Sequence, residues 1–443
     1  MLRTTAAVLA GKAARRAARL RGGGTGGSAL PGLVAEKVDP GFLAHALADV
    51  PQVVVVSGTN GKTTTTKMLV ALLRAHGRTV FTNPTGSNFT RGVISAMLAE
   101  LPLRGRLQAD LAVLELDEAH ALHFGRAVAP SHALLLNVAR DQLDRFAEID
   151  HTARLLTQLA AMTTQGVVIN RDDSYVNRIA PTLGQDVQVR WFGLDDSLAD
   201  RLGELQEADA REHDGWQPPP VGDGDGLLGP VTDTEMTVRL GPGQDATQVG
   251  PVALRQRGLA AMINATAATT TARALLGDAF STTTAEQALR TVRPPFGRGE
   301  VIDVDGRPLE LVLVKNPAGF TVALGTYGAT PVASMIAIND DYADGRDVSW
   351  LYDVDFSGLQ TKGVALTTGV RGWDMALRLQ YDDVPVGGTV TDLEPALTRF
   401  LAEHPDEPMR IFCTYTAMLA LRRLLAERYD VPEMGVDAEE DAQ

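Results

Sequence analysis

The chain is poor in several residue types, and each scarcity narrows what the protein can be. Its 443 residues contain one cysteine, Cys413, which excludes an internal disulfide and a cysteine-based zinc site and is typical of a reducing compartment such as the cytoplasm. Basic residues number 41 against 55 acidic ones, and the resulting net charge of −14 disfavours nucleic acid as a partner. Because no run of 18 apolar residues occurs, the sequence predicts no membrane-spanning helix.

The length predicts two or three domains, and composition suggests where they divide. We place a helical segment and linker at 1–50, a central α/β domain at 51–296 and a C-terminal α/β domain at 297–443, with the Pro294-Pro295 pair at the second boundary. The basic segment 1–22 predicts a helix that either lies on a membrane surface or packs against its own domain, and Gly22–Ser28 predicts a flexible joint.

Short aliphatic runs alternate with helical patterns along most of the chain, which predicts parallel sheets with right-handed crossovers. The predicted strands are Val53–Val56, Leu111–Leu116, Ala133–Val138, Val167–Asn170, Leu309–Val314, Val332–Ile338, Val364–Thr367 and Ile411–Cys413. Residues 194–250 are acidic and rich in glycine and proline. We expect them to form a surface excursion that carries one hairpin and little chemistry.

A strand, a glycine-rich turn and a helix follow one another at Val53–Thr65, where Gly58 and Gly61 flank the turn. Glycines let backbone N–H groups approach a phosphate, and the helix start adds its positive end. In a P-loop of this kind Lys62 reaches the terminal phosphates and Thr63 binds Mg²⁺. The segment therefore predicts a nucleotide site, although it is shorter than the standard pattern of glycine, four residues and then Gly-Lys-Ser/Thr.

The sequence Gly-Thr-Asn-Gly-Lys-Thr-Thr-Thr resembles the ATP loop of Mur ligases and folylpolyglutamate synthases. The resemblance implies an α/β fold with a central Mur-ligase-like P-loop ATPase domain built on a parallel sheet, followed by a C-terminal α/β, Rossmann-like domain. It also implies ATP and Mg²⁺ as cofactors. The implied ATP-binding residues are Gly58, Thr59, Asn60, Gly61, Lys62, Thr63, Thr64, Asn264 and Arg298, and the implied Mg²⁺ ligands are Thr63 and Glu115.

Several of these residues keep a purely structural alternative. Glu115 ends a predicted strand, where a carboxylate is well placed to hold a metal, but a solvated loop acid is the other interpretation. For Glu118 we expect the solvated loop acid. Asn264 is either an adenine contact or an ordinary helix asparagine, and Asp172-Asp173, which match the Asn-x-Asp-Asp segment of the family, are either functional or a turn.

Two departures from the Mur ligases argue against a standard amino-acid ligase. The segment Asn137–Phe146 resembles the family's Asp-His-Leu-Asp region, but Gln142 replaces the histidine that helps to bind a second magnesium. No lysine occurs between Lys67 and Lys315, so the lysine that is carbamylated in typical members is missing.

The second α/β unit carries a resemblance to the MurT family of amidotransferase subunits. Lys315-Asn316-Pro317 and the acidic, aromatic segment Asn339–Phe356 are similar to that family, as is Arg140–Arg145. The resemblance implies an ATP-dependent synthetase subunit that activates the D-glutamate α-carboxylate of the lipid II stem peptide as an acyl phosphate, in peptidoglycan synthesis. Ammonia would come from a GatD-like glutaminase in a heterodimer.

The same resemblance assigns Asp347 to the partner's Cys-His pair, which it would complete as a catalytic triad. The residues alone do not rank it above Asp344 or Asp353. Cys413 lies in an apolar run, where a buried and inert thiol is expected, so the nucleophile must come from the partner. Many MurT proteins carry a four-cysteine zinc ribbon, but residues 194–250 contain no cysteine, so we predict no zinc.

Two other functions stay open at this point. One is a stand-alone Mur or folylpolyglutamate-type amino-acid ligase, and the other is an ATP-binding scaffold subunit without catalysis. For the amidotransferase subunit we expect a cytoplasmic location, with the basic segment 1–22 in peripheral contact with the inner face of the plasma membrane, where lipid II is found.

Overall fold

The computed structural model describes residues 2–20, 29–83, 88–139, 149–205, 218–232, 235–243, 246–328 and 332–431. The predicted joint at Gly22–Ser28 and most of the Asn137–Phe146 segment, including Gln142, lie outside these residues. The helices are α1 (Leu2–Leu20), α2 (Ala29–Val38), α3 (Phe42–Leu47), α4 (Lys62–Ala75), α5 (Thr90–Glu100), α6 (Glu118–Ala127), α7 (Ile149–Ala161), α8 (Ser174–Asn177), α9 (Leu259–Leu276), α10 (Thr282–Thr291), α11 (Pro317–Tyr327), α12 (Gly372–Tyr381), α13 (Leu393–Glu403) and α14 (Tyr415–Ala426).

The strands fall into two groups along the chain. They are β1 (Gln52–Ser57), β2 (Val80–Thr82), β3 (Leu111–Glu115), β4 (His132–Leu135), β5 (Gly166–Asn170), β6 (Gln188–Leu194), β7 (Gly226–Val231), β8 (Glu235–Leu240), β9 (Thr247–Ala253), β10 (Arg298–Val304), β11 (Arg307–Leu313), β12 (Ala333–Ala337), β13 (Leu366–Thr368), β14 (Thr389–Val390) and β15 (Met409–Cys413). Each strand predicted from the sequence is present, with its ends moved by a few residues.

The first sheet has the strand order β2-β3-β1-β4-β5-β6-β7-β8-β9 among the described residues. It is parallel from β2 to β7, and β8 and β9 complete it as an antiparallel edge. Helices cover both faces: α1–α3 and α5–α7 pack on one core, and α4, α9 and α10 on the other. Double coverage explains why the central strands are continuous aliphatic runs rather than alternating ones.

The second sheet has the order β10-β11-β15-β12-β13-β14, parallel except for the β10–β11 hairpin. Its faces are covered by α13 and α14 on one side and by α11, α12 and the 3₁₀ turns near residue 350 on the other. The predicted α/β fold with a parallel central sheet and a second α/β unit is therefore confirmed.

The expectation that residues 194–250 form a surface excursion is wrong. Strands β7 and β8 and most of β9 lie in this segment and extend the first sheet, and Leu228 and Val238 are fully buried in its core. A 3₁₀ segment at Asp196–Glu204 leads out of β6 and contacts α11 of the second unit. Glycines and prolines of the described part of this segment lie within β7 and β9 as well as in the turns between the strands.

Helix α1 packs against its own domain. Ala7 and Val8 are fully buried, the Thr4 hydroxyl donates to Asp39 Oδ2 over 2.9 Å, and Lys12 Nζ donates to the Leu101 carbonyl over 2.6 Å. Of the two arrangements predicted for this helix, the structure therefore contains the packed one. No helix in the described part of the chain is long and apolar enough to cross a membrane.

Candidate functional site

The turn between β1 and α4 depends on two glycines in the left-handed region. Gly58 has φ +133° and Gly61 has φ +87°. A Cβ on Gly58 would lie 2.9 Å from the backbone nitrogen of Asn137, and a Cβ on Gly61 would lie 2.4 Å from Asn264 Oδ1. Both positions therefore require glycine for conformation and for space. Asn264, on α9, packs directly against this phosphate loop.

Asn137, which follows β4, holds the loop in place. Its Oδ1 accepts from the backbone N–H of Asn60 over 2.8 Å, and its Nδ2 donates to the Asn60 carbonyl over 3.0 Å. The Thr59 N–H also donates to the Asn137 carbonyl over 3.0 Å. Three hydrogen bonds from one neighbouring residue fix the loop before any ligand arrives, which lowers the entropic cost of binding.

Lys62 begins α4 and is only 7% exposed as a side chain, yet it is surrounded by polar groups. Its Nζ donates to the carbonyls of Gly58 and Thr59, and it lies 3.4 Å from Asp117 Oδ1 and 3.7 Å from Glu118 Oε1. The expectation that Glu118 is a solvated loop acid is wrong, since it is 3% exposed and faces the lysine. Burial of a carboxylate is tolerated here because a cation lies beside it.

Thr63 and Glu115 meet where α4 begins and β3 ends. The Thr63 hydroxyl donates to Glu115 Oε1 over 2.8 Å, and both residues are buried. The Asn83 side-chain amide donates to the Glu115 carbonyl and accepts the Glu115 N–H, each over 2.9 Å, which fixes the main chain of Glu115. Burial raises the pKa of Glu115 above its ordinary value, while the charge of Arg298 and the Thr63 hydroxyl oppose that rise.

These two oxygens suit a magnesium ion. Neighbouring ligands of an octahedral Mg²⁺ bound at roughly 2.0–2.1 Å are about 2.9 Å apart, close to the observed Thr63–Glu115 separation of 2.8 Å. Within the described ranges, no group of three or more histidine, cysteine, aspartate or glutamate side chains is arranged to hold a metal. Mg²⁺ is usually held by few protein ligands, and water and phosphate oxygens complete its coordination.

A cavity of about 440 Å³ lies between the two sheets and contains most of the predicted residues. The predicted residues on its wall are Thr59, Asn60, Gly61, Lys62, Thr63, Thr64, Glu115, Asn264 and Arg298. Gly58, at the start of the loop, is not on the wall and lies next to Asn137. Arg298 begins β10 in the second unit, and burial lowers its pKa while the Glu115 charge opposes that shift. The cavity is thus built by both units.

Other residues of the cavity were not predicted as site residues. Lys315, which follows β11, lines the cavity, and the side-chain amide of its buried neighbour Asn316 donates to Asn60 Oδ1 over 3.2 Å. Leu202 and Leu205 reach the wall from the 3₁₀ segment of the supposed excursion. The Lys-Asn-Pro signal was visible in the sequence, but nothing local indicated that it contacts a loop about 255 residues earlier.

The segment Asn170–Asp173 forms a turn, and its residues Asn170 and Asp172 also line the cavity, so both of its predicted interpretations stay open. Asp173 caps α8 and accepts the N–H groups of Val138, Tyr175 and Val176 over 2.7–3.0 Å. Asp172 lines the cavity and accepts the Leu194 N–H over 2.6 Å. Burial raises the pKa of both carboxyl groups to about 6.

The structure distinguishes Asp344 from Asp347 and Asp353, three aspartates that the sequence alone does not rank. Asp344 is 2% exposed, and its carboxylate accepts both the N–H and the hydroxyl of Thr416. Asp347 and Asp353 are exposed. Asp347 Oδ1 accepts the Ser349 N–H over 2.8 Å in a local turn and is not among the cavity residues.

Cys413 ends β15 and is fully buried. Burial raises the pKa of its thiol, which keeps the thiol protonated at neutral pH. The predicted inert thiol is therefore confirmed.

Comparison with known proteins identifies the class. A family model of the Mur ligase middle domain matches residues 56–216. MurF from Thermotoga maritima in complex with ADP superimposes with a TM-score of 0.65 at 16% identity, covering 90% of this chain and 85% of that chain. E. coli FolC in complex with DHPP and ADP superimposes with a TM-score of 0.61 at 16% sequence identity, covering 88% of this chain and 92% of that chain. The fold is that of the Mur ligases.

Sequence relatives narrow the class further. A model of the MurT ligase C-terminal domain matches residues 313–418. The MurT subunit of lipid II isoglutaminyl synthase (glutamine-hydrolyzing) from Streptococcus pneumoniae is 31% identical over 453 aligned residues, covering 96% of this chain and 98% of that protein. The MurT subunit from Staphylococcus aureus strain COL is 27% identical, covering 87% of this chain and 89% of that protein. The chain belongs to the MurT family of ligase subunits.

Proposed function

We propose that this chain is the ATP-dependent synthetase subunit of a glutamine-hydrolysing lipid II isoglutaminyl synthase in peptidoglycan synthesis. It activates the α-carboxylate of D-glutamate in the lipid II stem peptide, and a GatD-like subunit supplies ammonia. The observation that carries the proposal is the single cavity in which Lys62 and the Thr63–Glu115 pair of the first unit face Arg298 of the second. Family membership supports the substrate and the partner.

The reaction has two steps. A carboxylate oxygen of D-glutamate forms a bond to the terminal phosphorus of ATP as the bond to the bridging oxygen breaks, so ADP leaves and an acyl phosphate forms. Ammonia then forms the C–N bond and loses a proton, and inorganic phosphate leaves. When bound, ATP provides the phosphoryl group and Mg²⁺ offsets its negative charge.

The residues of the chain supply position and charge for these steps. Backbone N–H groups of the loop and the start of α4 bind phosphate oxygens, and Lys62 reaches them from the helix start. Thr63 and Glu115 would hold Mg²⁺ through their side-chain oxygens. Arg298 interacts with Glu115 from the second unit and adds a positive charge to the cavity, which offsets the negative charge that the phosphoryl oxygens carry during transfer.

The source of ammonia lies outside this chain. Its cysteine is buried and protonated, so glutamine hydrolysis needs the nucleophile of a partner. We assign Asp347 to orient the histidine of that partner. Its carboxylate is exposed, whereas that of Asp344 is occupied by Thr416. Asp353 is exposed as well, and the choice of Asp347 over it rests on the family resemblance. An aspartate in this role keeps the imidazole in the correct tautomer.

The test is amidation of lipid II that contains D-glutamate, with ATP and glutamine, by this chain alone and with the GatD-like subunit. We expect product only from the pair, and loss of glutaminase activity in Asp347→Asn. Asp355→Asn is the matched control, since Asp355 is also exposed and accepts the Ser357 N–H over 2.8 Å in the same kind of turn.

The other outcomes decide between the remaining functions. Attachment of an amino acid by this chain alone would establish a stand-alone ligase. Binding of ATP without turnover, with any partner or substrate, would establish a scaffold subunit. If Asp347→Asn and Asp355→Asn behave alike, the assignment of Asp347 is wrong.

We place the enzyme in the cytoplasm, at the inner face of the plasma membrane. Leu2 is 91% and Leu9 53% exposed on α1, whose other side is packed, and Arg16 is exposed as well. Such a face suits anionic lipid headgroups. Co-sedimentation with anionic vesicles tests this: Arg16→Glu should weaken binding, and unchanged binding would remove the membrane contact from the proposal.

A further inference from the structure

Lys315 brings a second ammonium group to the phosphate loop, from the other unit. Its Nζ lies 3.5 Å from the Thr59 carbonyl oxygen, and Lys62 Nζ lies 3.4 Å from the same oxygen. The two nitrogens are therefore less than about 7 Å apart, across one carbonyl of the loop. Both residues line the cavity.

The position of Lys315 is fixed by its neighbour. Asn316 is fully buried, caps α11 by accepting the Gly319 N–H over 2.7 Å, and donates to Asn60 Oδ1 over 3.2 Å. One asparagine thus ties the start of α11 to the phosphate loop. The lysine before it lines the cavity from a backbone that Asn316 anchors, so its ammonium group has a defined place.

Two ammonium groups this close repel each other in a partly buried site, and Asp117 and Glu118 beside Lys62 offset part of that repulsion. An anion between the two ammonium groups is attracted by both of them. The loop glycines and the start of α4 already favour phosphate at this place. The arrangement therefore has the charge distribution of a phosphate clamp, with one arm from each unit.

We propose that Lys315 binds the terminal phosphate of ATP and stays with it as it passes to the substrate carboxylate. This inference rests on the proposed function and adds a catalytic residue to it. The transferring phosphoryl group carries its charge on three peripheral oxygens, and a cation opposite Lys62 stabilises that charge throughout the transfer. The bond changes are those of the first step above, and Lys315 exchanges no proton or electrons.

The inference separates ligands that carry the terminal phosphate from ligands that lack it. Titration calorimetry of the full-length chain with Mg²⁺ compares a non-hydrolysable ATP analogue, which has an imido group between its last two phosphates, with ADP. Loss of a hydrogen bond to a charged group corresponds to roughly 10- to 100-fold in affinity. We expect Lys315→Met to weaken binding of the ATP analogue by that factor and to change the affinity for ADP by less than about twofold.

Two further variants keep the result interpretable. Lys315→Arg restores a cation and should recover most of the lost affinity for the ATP analogue. Lys362→Met removes an exposed lysine that pairs with Glu407 over 2.7 Å, far along the chain, and should bind both ligands like the wild type.

The contrary results are distinct. An equal loss for both ligands would mean that Lys315 only supports the loop, and no loss for either would mean that it does not touch the nucleotide; each overturns the inference. Failure of the wild-type chain to bind either ligand would instead refute the proposed function. In the complete amidation assay, Lys315→Met should lower kcat more than it raises the KM for glutamine.

Discussion

Replacing Thr63 with valine tests whether the Thr63–Glu115 pair has the energetics that its geometry implies. The two side chains have 6% exposure each, and the hydroxyl donates to the carboxylate over 2.8 Å. Valine keeps the shape of threonine but removes the donor, so a buried carboxylate loses a hydrogen bond with little change in packing. Hydrogen bonds to charged groups are worth about 1.5–3 kcal/mol.

The stability lost in Thr63→Val should be larger at higher pH. Burial raises the pKa of Glu115 in the folded state, so this group contributes stability that is complete below its unfolded pKa and is lost as pH rises through the folded pKa. The Thr63 hydroxyl opposes that rise, so Thr63→Val raises the folded pKa further. The variant should therefore be destabilised by about 1 kcal/mol where Glu115 is protonated, and by the full 1.5–3 kcal/mol where it is ionised.

Calorimetric melting of the ligand-free chain at pH values below and above the titration of Glu115 measures the difference. For a unit of this size we expect the Tm of the central domain to fall by roughly 3–12 °C at the higher pH, and by less at the lower pH. Thr271→Val is a matched control, since Thr271 is 1% exposed and its hydroxyl donates to the Ala267 carbonyl over 2.8 Å, away from any carboxylate.

A double-mutant cycle with Glu115→Gln isolates the pair. Residues in direct contact give interaction energies of about 0.5–3 kcal/mol, whereas independent residues add. Additive effects of the two substitutions, or a Thr63→Val loss that is flat or smaller at the higher pH, would refute the reasoning. Both variants should also weaken the Mg²⁺ dependence of ATP turnover, which separate titration of Mg²⁺ would show.

Three further predictions concern the walls of the cavity. Burial raises the pKa of Asp172 from 3.8 to about 6, so the chain should lose about 3 kcal/mol of stability as pH rises through that range. Urea unfolding of Asp172→Asn should show that loss removed, and an unchanged pH profile would contradict it. Asn137→Ala removes two hydrogen bonds to the Asn60 backbone and should cost about 2 kcal/mol while raising the Kd for ADP; a normal Kd would mean that the loop holds its own shape. Leu202→Asp places a carboxylate on the cavity wall and should weaken ADP at least tenfold more than Leu198→Asp, because Leu198 packs on the same core but does not line the cavity; equal effects in calorimetry would contradict this.

The parts of the fold that the sequence predicts well are those set by local pattern. The aliphatic runs of β1, β3 and β5 are buried on both faces, so their composition alone marks them as central strands. The same holds for the phosphate loop, because Gly58 and Gly61 adopt positive φ and the helix starts at Lys62. Strand, turn and helix are each determined by a few consecutive residues.

The features that the sequence did not predict depend on distant contacts. Glu118 is buried because Lys62, 56 positions earlier, lies beside it, and a reading of its immediate neighbours gives only an acid at a helix start. Strands β7, β8 and β9 are short, and β7 and β9 contain glycine and proline, so their periodicity is too weak to separate a sheet edge from a loop. These strands are placed in the sheet by pairing with residues distant in sequence, which local composition does not reveal.

The charges of the site explain why both units are needed to form it. Glu115 ends β3 and Asp117 and Glu118 follow it in the first unit, where Lys62 lies beside Asp117 and Glu118 as a counter-charge. Arg298 from the second unit offsets the buried charge of Glu115, as the opposing effects of the two groups on each other's pKa show. Buried carboxylates without cations are costly, so separating the units would expose or protonate part of this cluster. Nucleotide binding and contact between the units are therefore coupled through electrostatics, and weakening either should weaken the other.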